Sequence, residues 1–163
     1  PSGGAGVQAD LKTFHRLGCH GQAVLTLLTA QNTRGVQGVF PVPVDQVRAQ
    51  LRSVLGDLGA KAIKTGALGA AELVAAVGEQ LRALAGRRLV VDPVLVSKHG
   101  QALAAPEVGA ALRRHLLPLA LVVTPNRHEA ACLTGIEVTD RPSAERAAQL
   151  LRRDGAEVVV VKD

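Results

Sequence analysis

The sequence predicts an α/β fold with a mainly parallel sheet, on three observations. Short β-branched runs alternate with longer segments of helical periodicity, which is the pattern of βαβ crossovers. The run Val158–Val161 consists of four valines without polar alternation, as expected for a strand covered on both faces. The 163 residues are 47% hydrophobic, enough for one buried core. We therefore expect a single layered domain over residues 1–163, without repeat or linker.

Five strands and five helices are predicted in alternation. The strands are the short apolar runs Ala23–Ala30, Ala62–Thr65, Leu89–Asp92, Leu121–Thr124 and Val158–Lys162. The helices have apolar residues at helical spacing and are Val7–Leu17, Val44–Leu58, Ala70–Leu84, Ala105–Leu117 and Ala144–Asp154. Because the chain has no Trp, no Tyr and only two Phe, its core must be built from Leu, Val and Ala.

Composition excludes several classes of function. The net charge of +5 comes from 19 Lys and Arg against 14 Asp and Glu. Many of the arginines are spread singly or in short pairs without interleaved aromatics, which disfavours nucleic-acid binding, whereas a positive balance suits an anionic small molecule. Cys19 and Cys132 form no CxxC pair and suit a reducing compartment. No apolar run approaches the roughly 20 residues of a membrane helix, so a cytoplasmic protein is expected. The chain lacks an initial Met and stops after a hydrophobic run, so we expect it to be incomplete at both termini.

The ends of the predicted strands form the candidate site, because ligands of open parallel sheets bind beyond the carboxyl ends of the strands. Those ends are residues 31–33, 64–66, 92–93, 124–126 and 162–163, which are rich in charged and amide side chains. If the strands are parallel, these side chains converge on one edge of the sheet. That edge is where we expect a ligand.

Three features of this edge each have a functional and a structural interpretation. Asp92, followed by Pro93, could orient Mg²⁺ or water in phosphoryl transfer, or could simply end a strand. Asn126 and Glu129 have the spacing of a helix-capping box, which also places an amide and a carboxylate together. Lys162 could bind a nucleotide phosphate or be a surface lysine.

Two further patterns are weaker. The glycine-rich segment 1–6 leads into the first helix and could approach a ligand closely or be a flexible turn; it matches neither GxGxxG nor the Walker A pattern. His15 and Cys19 are four residues apart, as two metal ligands on a helix could be, but without a third ligand we interpret them as ordinary helix residues. No Ser-His-Asp triad can be assigned.

Residues 1–14 (PSGGAGVQADLKTF) are more specific than a generic glycine loop. This segment resembles the opening of the hydroxymethylpyrimidine/phosphomethylpyrimidine kinases, thiamine-pathway members of the ribokinase-like superfamily. Further matches follow in order at residues 28–37 (LTAQNTRGVQ), 64–68 (KTGAL), 91–96 (VDPVLV) with Lys98, and 123–130 (VTPNRHEA). The resemblance spans essentially the whole chain.

The resemblance implies a three-layer α/β/α ribokinase-like kinase with ATP and Mg²⁺ as cofactors. Its implied reaction is the phosphorylation of 4-amino-5-hydroxymethyl-2-methylpyrimidine and then of the monophosphate, and its implied assembly is a homodimer. The positions that match the family's pyrimidine contacts are Ala5, Thr29, Gln31, Ala67 and Val94. Of these, Gln31 is the candidate for specificity, since an amide both donates to and accepts from an aminopyrimidine edge.

The same resemblance gives the ATP-phosphate and metal positions. Asp92, Asn126 and Lys162 match the ATP and phosphate region, and Glu129 with Asp92 matches the Mg²⁺ region. The family's Gly-Thr-Gly-Cys anion hole and its base would lie beyond Asp163, so the catalytic residues are not identified. Ala67 stands where many relatives carry Met, which predicts a roomier pyrimidine pocket.

Two alternatives stay open. A pyridoxine/pyridoxal kinase of the same superfamily would use Asp92, Asn126 and Glu129 in the same roles. A non-catalytic pyrimidine-binding module would account for a chain without the anion hole. Comparison of phosphate transfer to the two substrates separates the kinases. The sequence downstream of Asp163 separates either kinase from the module, since a Gly-Thr-Gly-Cys segment there would favour an enzyme.

Overall fold

The computed structural model describes residues 3–83, 88–96 and 104–162 of the chain. The chain forms two compact units, Pro1–Gly59 and Ala60–Asp163. The first unit contains α1 (Gly6–Arg16), β1 (Leu27–Asn32), β2 (Gly35–Pro41) and α2 (Val44–Gly56). The second contains β3 (Ala62–Thr65), α3 (Ala71–Arg82), β4 (Arg88–Val91), α4 (Val108–His115), β5 (Val122–Val123), α5 (Arg127–Thr134), α6 (Arg141–Arg153) and β6 (Val158–Val159).

In the first unit the glycine-rich segment leads into α1, as predicted. Gly3 and Gly6 have φ of 75° and 63°, a backbone conformation that favours glycine. The Lys12 ammonium of α1 donates to the Gly3 carbonyl at 3.1 Å, so the helix holds the segment before it. α1 ends at Arg16, and Cys19 therefore lies beyond the helix rather than on the turn above His15.

The predicted strand Ala23–Ala30 is wrong in extent and in pairing. The observed β1 pairs antiparallel with β2, a strand that the sequence analysis missed. The hairpin reverses because the Asn32 side-chain oxygen accepts from the Arg34 N–H at 2.9 Å, an Asx turn. Before β1, the Gln50 amide bonds both backbone groups of Leu25, at 2.9 Å and 3.2 Å, and takes the place of a neighbouring strand.

The second unit contains the predicted parallel sheet, in the order β3-β4-β5-β6. α3 packs against α4 so closely that a Cβ on Gly78 would lie 2.8 Å from the His115 carbonyl oxygen. The core of the unit is aliphatic, as the composition predicted. Its fully buried side chains include Leu73, Val74, Val91, Val108, Leu116, Leu117, Val123 and Leu151.

The prediction that the valine run is covered on both faces is wrong. Val158 is 46% exposed and Val160 is 48% exposed. These two valines are two residues apart and so lie on the same face of the strand, and this face is accessible in the described part of the chain. The regular pairing also covers only two residues, and the chain then rejoins the sheet through a bridge at Lys162.

Local side-chain chemistry sets the ends of several helices. α6 begins at Arg141, three residues before the predicted start, because Asp140 and Ser143 form a capping box in which Asp140 accepts from the Ser143 N–H at 2.8 Å. α4 ends at His115, and Pro118 follows in a short 3₁₀ turn. None of the helices in the described ranges is long and apolar enough to span a membrane.

Candidate active site

Asp92 is the centre of the candidate site. It directly follows β4, where Pro93 cannot continue the ladder. Its Oδ1 accepts from the Lys162 ammonium at 2.9 Å and from the Thr124 hydroxyl at 3.2 Å. The N–H of Asp92 donates to the Thr65 carbonyl at 3.1 Å, so groups after or at the ends of all four parallel strands meet here. The predicted convergence of strand ends is confirmed for this unit.

The backbone places Lys162 beside Asn126. The two residues form a parallel bridge that extends the β5–β6 pairing, and the Lys162 N–H donates to the Pro125 carbonyl at 2.8 Å. The ammonium therefore reaches Asp92 from a fixed position, although its side chain is partly exposed. A cation so placed can exchange its carboxylate partner for a phosphate oxygen, because both are anionic acceptors.

Asn126 and Glu129 form the predicted capping box at the start of α5. The Asn126 side chain accepts from the Glu129 N–H at 2.8 Å, and the Glu129 carboxylate accepts from the Asn126 N–H at 2.9 Å. Glu129 is only 3% exposed, and this burial is the main reason that its pKa is raised. Asp92 raises the pKa further, whereas the N–H groups of Asn126 and Leu95 and the charge of Lys162 oppose the rise. Glu129 thus belongs to the electrostatic surroundings of Asp92.

The residues matched to pyrimidine contacts divide between the two units. Ala67 and Val94 are half-buried on the segments that follow β3 and β4 in the second unit. In the first unit, Ala5 is the exposed residue before α1, and Thr29 and Gln31 are half-buried on β1. Their roles in binding stay predictions, as do those of the phosphate residues.

Gln31 lies at an irregularity of its strand. The β1–β2 register shifts between Ala30 and Gln31, and bulges of this kind re-aim side chains next to functional sites. The Gln31 side-chain oxygen lies 3.4 Å from the Thr29 hydroxyl, so two of the predicted contacts interact with each other.

The structure adds three groups that sequence reasoning had not assigned a role. The Thr124 hydroxyl holds Asp92; its position at a strand end was the available signal. The Leu95 N–H acts on Glu129, and no sequence pattern reveals a backbone donor of this kind. The Thr65 hydroxyl is buried without a hydrogen-bond partner in the described structure. Lys98, the remaining matched lysine, lies outside the described residues.

The donor set fits a magnesium ion. Mg²⁺ is bound through one or two carboxylates together with substrate phosphates and water, so it needs no dedicated protein cage. Asp92 and Glu129 supply two carboxylates, and the Asp92 charge is close enough to raise the pKa of the Glu129 carboxyl. No group of three or more His, Cys, Asp and Glu side chains that could hold a metal occurs in residues 3–83, 88–96 and 104–162.

Comparison with known proteins identifies the family of this chain. The sequence profile of phosphomethylpyrimidine kinase matches residues 1–163. The chain belongs to the phosphomethylpyrimidine kinase family. It is 52% identical over 160 residues to the hydroxymethylpyrimidine/phosphomethylpyrimidine kinase of Streptomyces coelicolor, covering 98% of this chain and 59% of that protein. It is 50% identical to the Rhizobium meliloti enzyme of the same name, covering 98% of this chain and 60% of that one.

Solved structures confirm the α/β, ribokinase-like fold class of this family member. Phosphomethylpyrimidine kinase from Clostridium difficile 630 superposes with a TM-score of 0.90 at 38% identity, over 99% of this chain and 70% of that one. Pyridoxal kinase from Staphylococcus aureus, in complex with pyridoxal, gives 0.89 at 38% identity, over 99% and 59%. The chain thus spans about three fifths of the length of the curated relatives that it matches.

Proposed function

We propose that this family member takes part in transfer of the ATP γ-phosphate to 4-amino-5-hydroxymethyl-2-methylpyrimidine and then to its monophosphate, in thiamine biosynthesis. The observation that carries the proposal is the Lys162–Asp92 pair beside the Asn126–Glu129 box, at the carboxyl edge of the parallel sheet. A cation, two carboxylates and an amide at such an edge suit a metal–nucleotide phosphate group. The family match over the whole chain supports the same reaction.

Different residues of the site bind the phosphates, bind the metal ion and position these groups. Lys162 pairs with a phosphate oxygen, and Asn126 positions it through their backbone bridge. Asp92 and Glu129 hold Mg²⁺, which when bound neutralises charge on the nucleotide phosphates. Thr124 fixes the Asp92 carboxylate through its hydroxyl. Chemistry of this type depends on positioning and charge rather than on a protein nucleophile.

The pyrimidine contacts proposed are Ala5, Thr29, Gln31, Ala67 and Val94. Gln31 supports an aminopyrimidine because its amide presents a donor and an acceptor side by side. The interaction of its oxygen with the Thr29 hydroxyl restrains that amide. The Ala67 side chain is smaller than the Met that many relatives carry and would leave more room beside it.

A pyridoxal kinase is the second candidate, and a specific observation favours it. The Staphylococcus aureus pyridoxal kinase matches this chain as well in TM-score and identity as the Clostridium difficile enzyme does. A structure described as the last common ancestor of HMPPK and PLK/HMPPK vitamin kinases also matches, at 44% identity and a TM-score of 0.85 over 98% of this chain and 73% of that chain. Because backbone similarity does not separate the two substrates, Gln31 and its neighbours carry the preference for the pyrimidine.

Phosphate transfer from ATP to the pyrimidine and to pyridoxal, followed by mass spectrometry of the products, tests the proposal. We expect faster transfer to the pyrimidine. Faster transfer to pyridoxal would establish the second candidate, and binding of the pyrimidine without transfer would indicate the binding module.

The Lys162→Met variant should lower kcat/KM by about 10²- to 10³-fold, the range for loss of a preorganised donor to transition-state charge. The matched control Lys61→Met changes an exposed lysine elsewhere in the same unit and should leave the rate unchanged.

The assembly and the compartment are further proposals. A homodimer is supported by the exposed cross-strand pair Leu28 and Phe40 on the hairpin, which is apolar surface that association would cover. Light scattering during gel filtration tests it, and a purely monomeric mass would contradict it.

A cytoplasmic location suits a biosynthetic kinase with two free cysteines, and cell fractionation tests that location.

A further inference from the structure

An imidazole and a thiol meet on the exposed face of α5. His128 and Cys132 are four residues apart in this helix, so their side chains lie one above the other. The Cys132 sulfur lies 3.5 Å from Nε2 of His128, and both residues are exposed. The sulfur and the nitrogen are therefore in contact and also open to solvent. Neither residue has a part in the proposed kinase reaction.

The separation of the two atoms equals the bite of a tetrahedral metal. With a metal–sulfur bond of about 2.3 Å, a metal–nitrogen bond of about 2.0–2.1 Å and a tetrahedral angle of about 109°, the two ligand atoms stand about 3.5 Å apart. The observed separation of 3.5 Å matches this distance. Nε2 is one of the two nitrogens through which histidine binds metals, and thiolate with imidazole is a donor set for Zn²⁺.

We propose that His128 and Cys132 form a two-residue binding site for a borderline-soft divalent transition metal, with Zn²⁺ as the ligand. Binding replaces the thiol proton by a sulfur–metal bond and releases that proton to solvent. The lone pair of neutral Nε2 makes the second bond. Water keeps the remaining positions because both side chains are at the surface. The metal bridges one turn of α5 and so stabilises the helix whose start is the Asn126–Glu129 capping box.

The same sequence spacing occurs once more, which provides a matched control. His15 and Cys19 are also four residues apart, but α1 ends at Arg16. The Cys19 thiol is directed to the Leu17 carbonyl oxygen, at 3.8 Å. Sequence spacing alone thus does not distinguish the two pairs, whereas the helix under His128 and Cys132 does. We expect metal at the α5 pair and not at the α1 pair.

Titration with Co²⁺, whose thiolate complexes absorb in the near ultraviolet, tests the site in excess Mg²⁺, which occupies carboxylate sites. We expect one thiolate-bound cobalt per chain, displaced by Zn²⁺. Cys132→Ser removes the thiol and should abolish the thiolate band. Loss of a group that merely supports a metal ligand costs about 10- to 100-fold in affinity, so His128→Ala, which removes a ligand itself, should weaken cobalt binding at least as much. The double variant His15→Ala with Cys19→Ser should bind as the parent does.

A second measurement follows the helix itself. Zn²⁺ should raise the melting temperature of the parent and of the α1 control, and should leave that of Cys132→Ser unchanged. Since both side chains are exposed, the α5 variants should fold and melt like the parent in a chelator. A thiolate band that survives Cys132→Ser, a band lost with the α1 pair, or one metal per two chains would each overturn the proposal. The kinase assay is not needed for any of these results.

Discussion

Glu129 is a carboxylate held away from water at the start of α5. Its raised pKa means that the native state binds a proton more tightly than the unfolded chain does. The stabilisation that this proton gives is complete below the ordinary pKa and is lost as the pH rises through the raised one. At neutral pH without metal, the Glu129 charge therefore lowers the free energy of unfolding.

The Glu129→Gln variant tests this linkage. Gln keeps the shape and can serve a capping box, but it has no charge to desolvate. Gln also has one acceptor oxygen for the two N–H groups of Asn126 and Leu95, which adds an offset that does not depend on pH. We expect the stability of the variant relative to the parent to increase as the pH rises from about 4 to neutrality. Urea denaturation in a chelator measures it; a flat or falling difference would contradict the raised pKa.

Thr65 has a buried hydroxyl that has no hydrogen-bond partner among the described residues. Because an unpaired buried polar group costs about 1–3 kcal/mol, Thr65→Val should raise the free energy of unfolding by about 1 kcal/mol. For a chain of this size that is a rise in melting temperature of about 2–4 °C.

Thr124→Val is the matched control for Thr65→Val. The hydroxyl of Thr124 donates to Asp92, so the same change should lower stability by about 1 kcal/mol. Thermal melts of both variants give the comparison. Equal effects of the two substitutions would show that partnering of the hydroxyl does not decide the outcome.

At the scale of elements, Arg113 ties three helices of the second unit together. From α4 it makes two bonds to the Asp154 carboxylate after α6, at 2.7 Å and 3.0 Å. It also donates at 3.0 Å to the Leu133 carbonyl near the end of α5. The carboxylate is the main reason that the pKa of Arg113 is raised. One guanidinium thus satisfies groups at two helix ends.

We expect Arg113→Ala to lower the free energy of unfolding by about 1–2 kcal/mol. This is the contribution of hydrogen bonds between charged groups, reduced because the pair is partly exposed to solvent. Arg141→Ala is the control. It removes an ion pair to Glu145 in which the Arg141 side chain is 89% exposed, so it should cost at most about 0.5 kcal/mol. Chemical denaturation separates the two, and equal losses would show that the three-helix connection adds nothing.

At the scale of the whole molecule, the proposed function assigns the pyrimidine and the nucleotide to different residues. Gln31→Leu keeps the approximate volume and removes the amide that reads the ring edge. It should weaken pyrimidine binding about 5- to 150-fold, which is the cost of about 1–3 kcal/mol for an unpaired polar group. ATP binding should stay unchanged. Calorimetric titration of both ligands measures this, and equal losses would assign Gln31 a structural role.

Much of the second unit could be predicted from sequence. The predicted and observed bounds of β3 are both Ala62–Thr65, because glycines on either side limit where this short strand can begin and end. The capping box of Asn126 and Glu129 is local chemistry within four residues and was also confirmed. Prediction failed at β1 for two reasons. The hairpin depends on the Asx turn at Asn32, a local signal that the sequence analysis did not use, and Gln50 of α2 holds Leu25, which is 25 residues away in the chain.

The sequence by itself determined the alternation of strands and helices, the aliphatic core and the residues at the strand ends, because periodicity and residue type are local properties. Only the tertiary structure decided that Lys162 and Thr124 meet on one oxygen of Asp92, that Glu129 loses its water, and that the valine run has an open face. It also decided that Cys132 contacts His128, whereas the Cys19 thiol contacts the Leu17 carbonyl, although both His–Cys pairs have a spacing of four residues. Such contacts depend on which segments pack together, and burial is a property of the assembled chain rather than of any one segment.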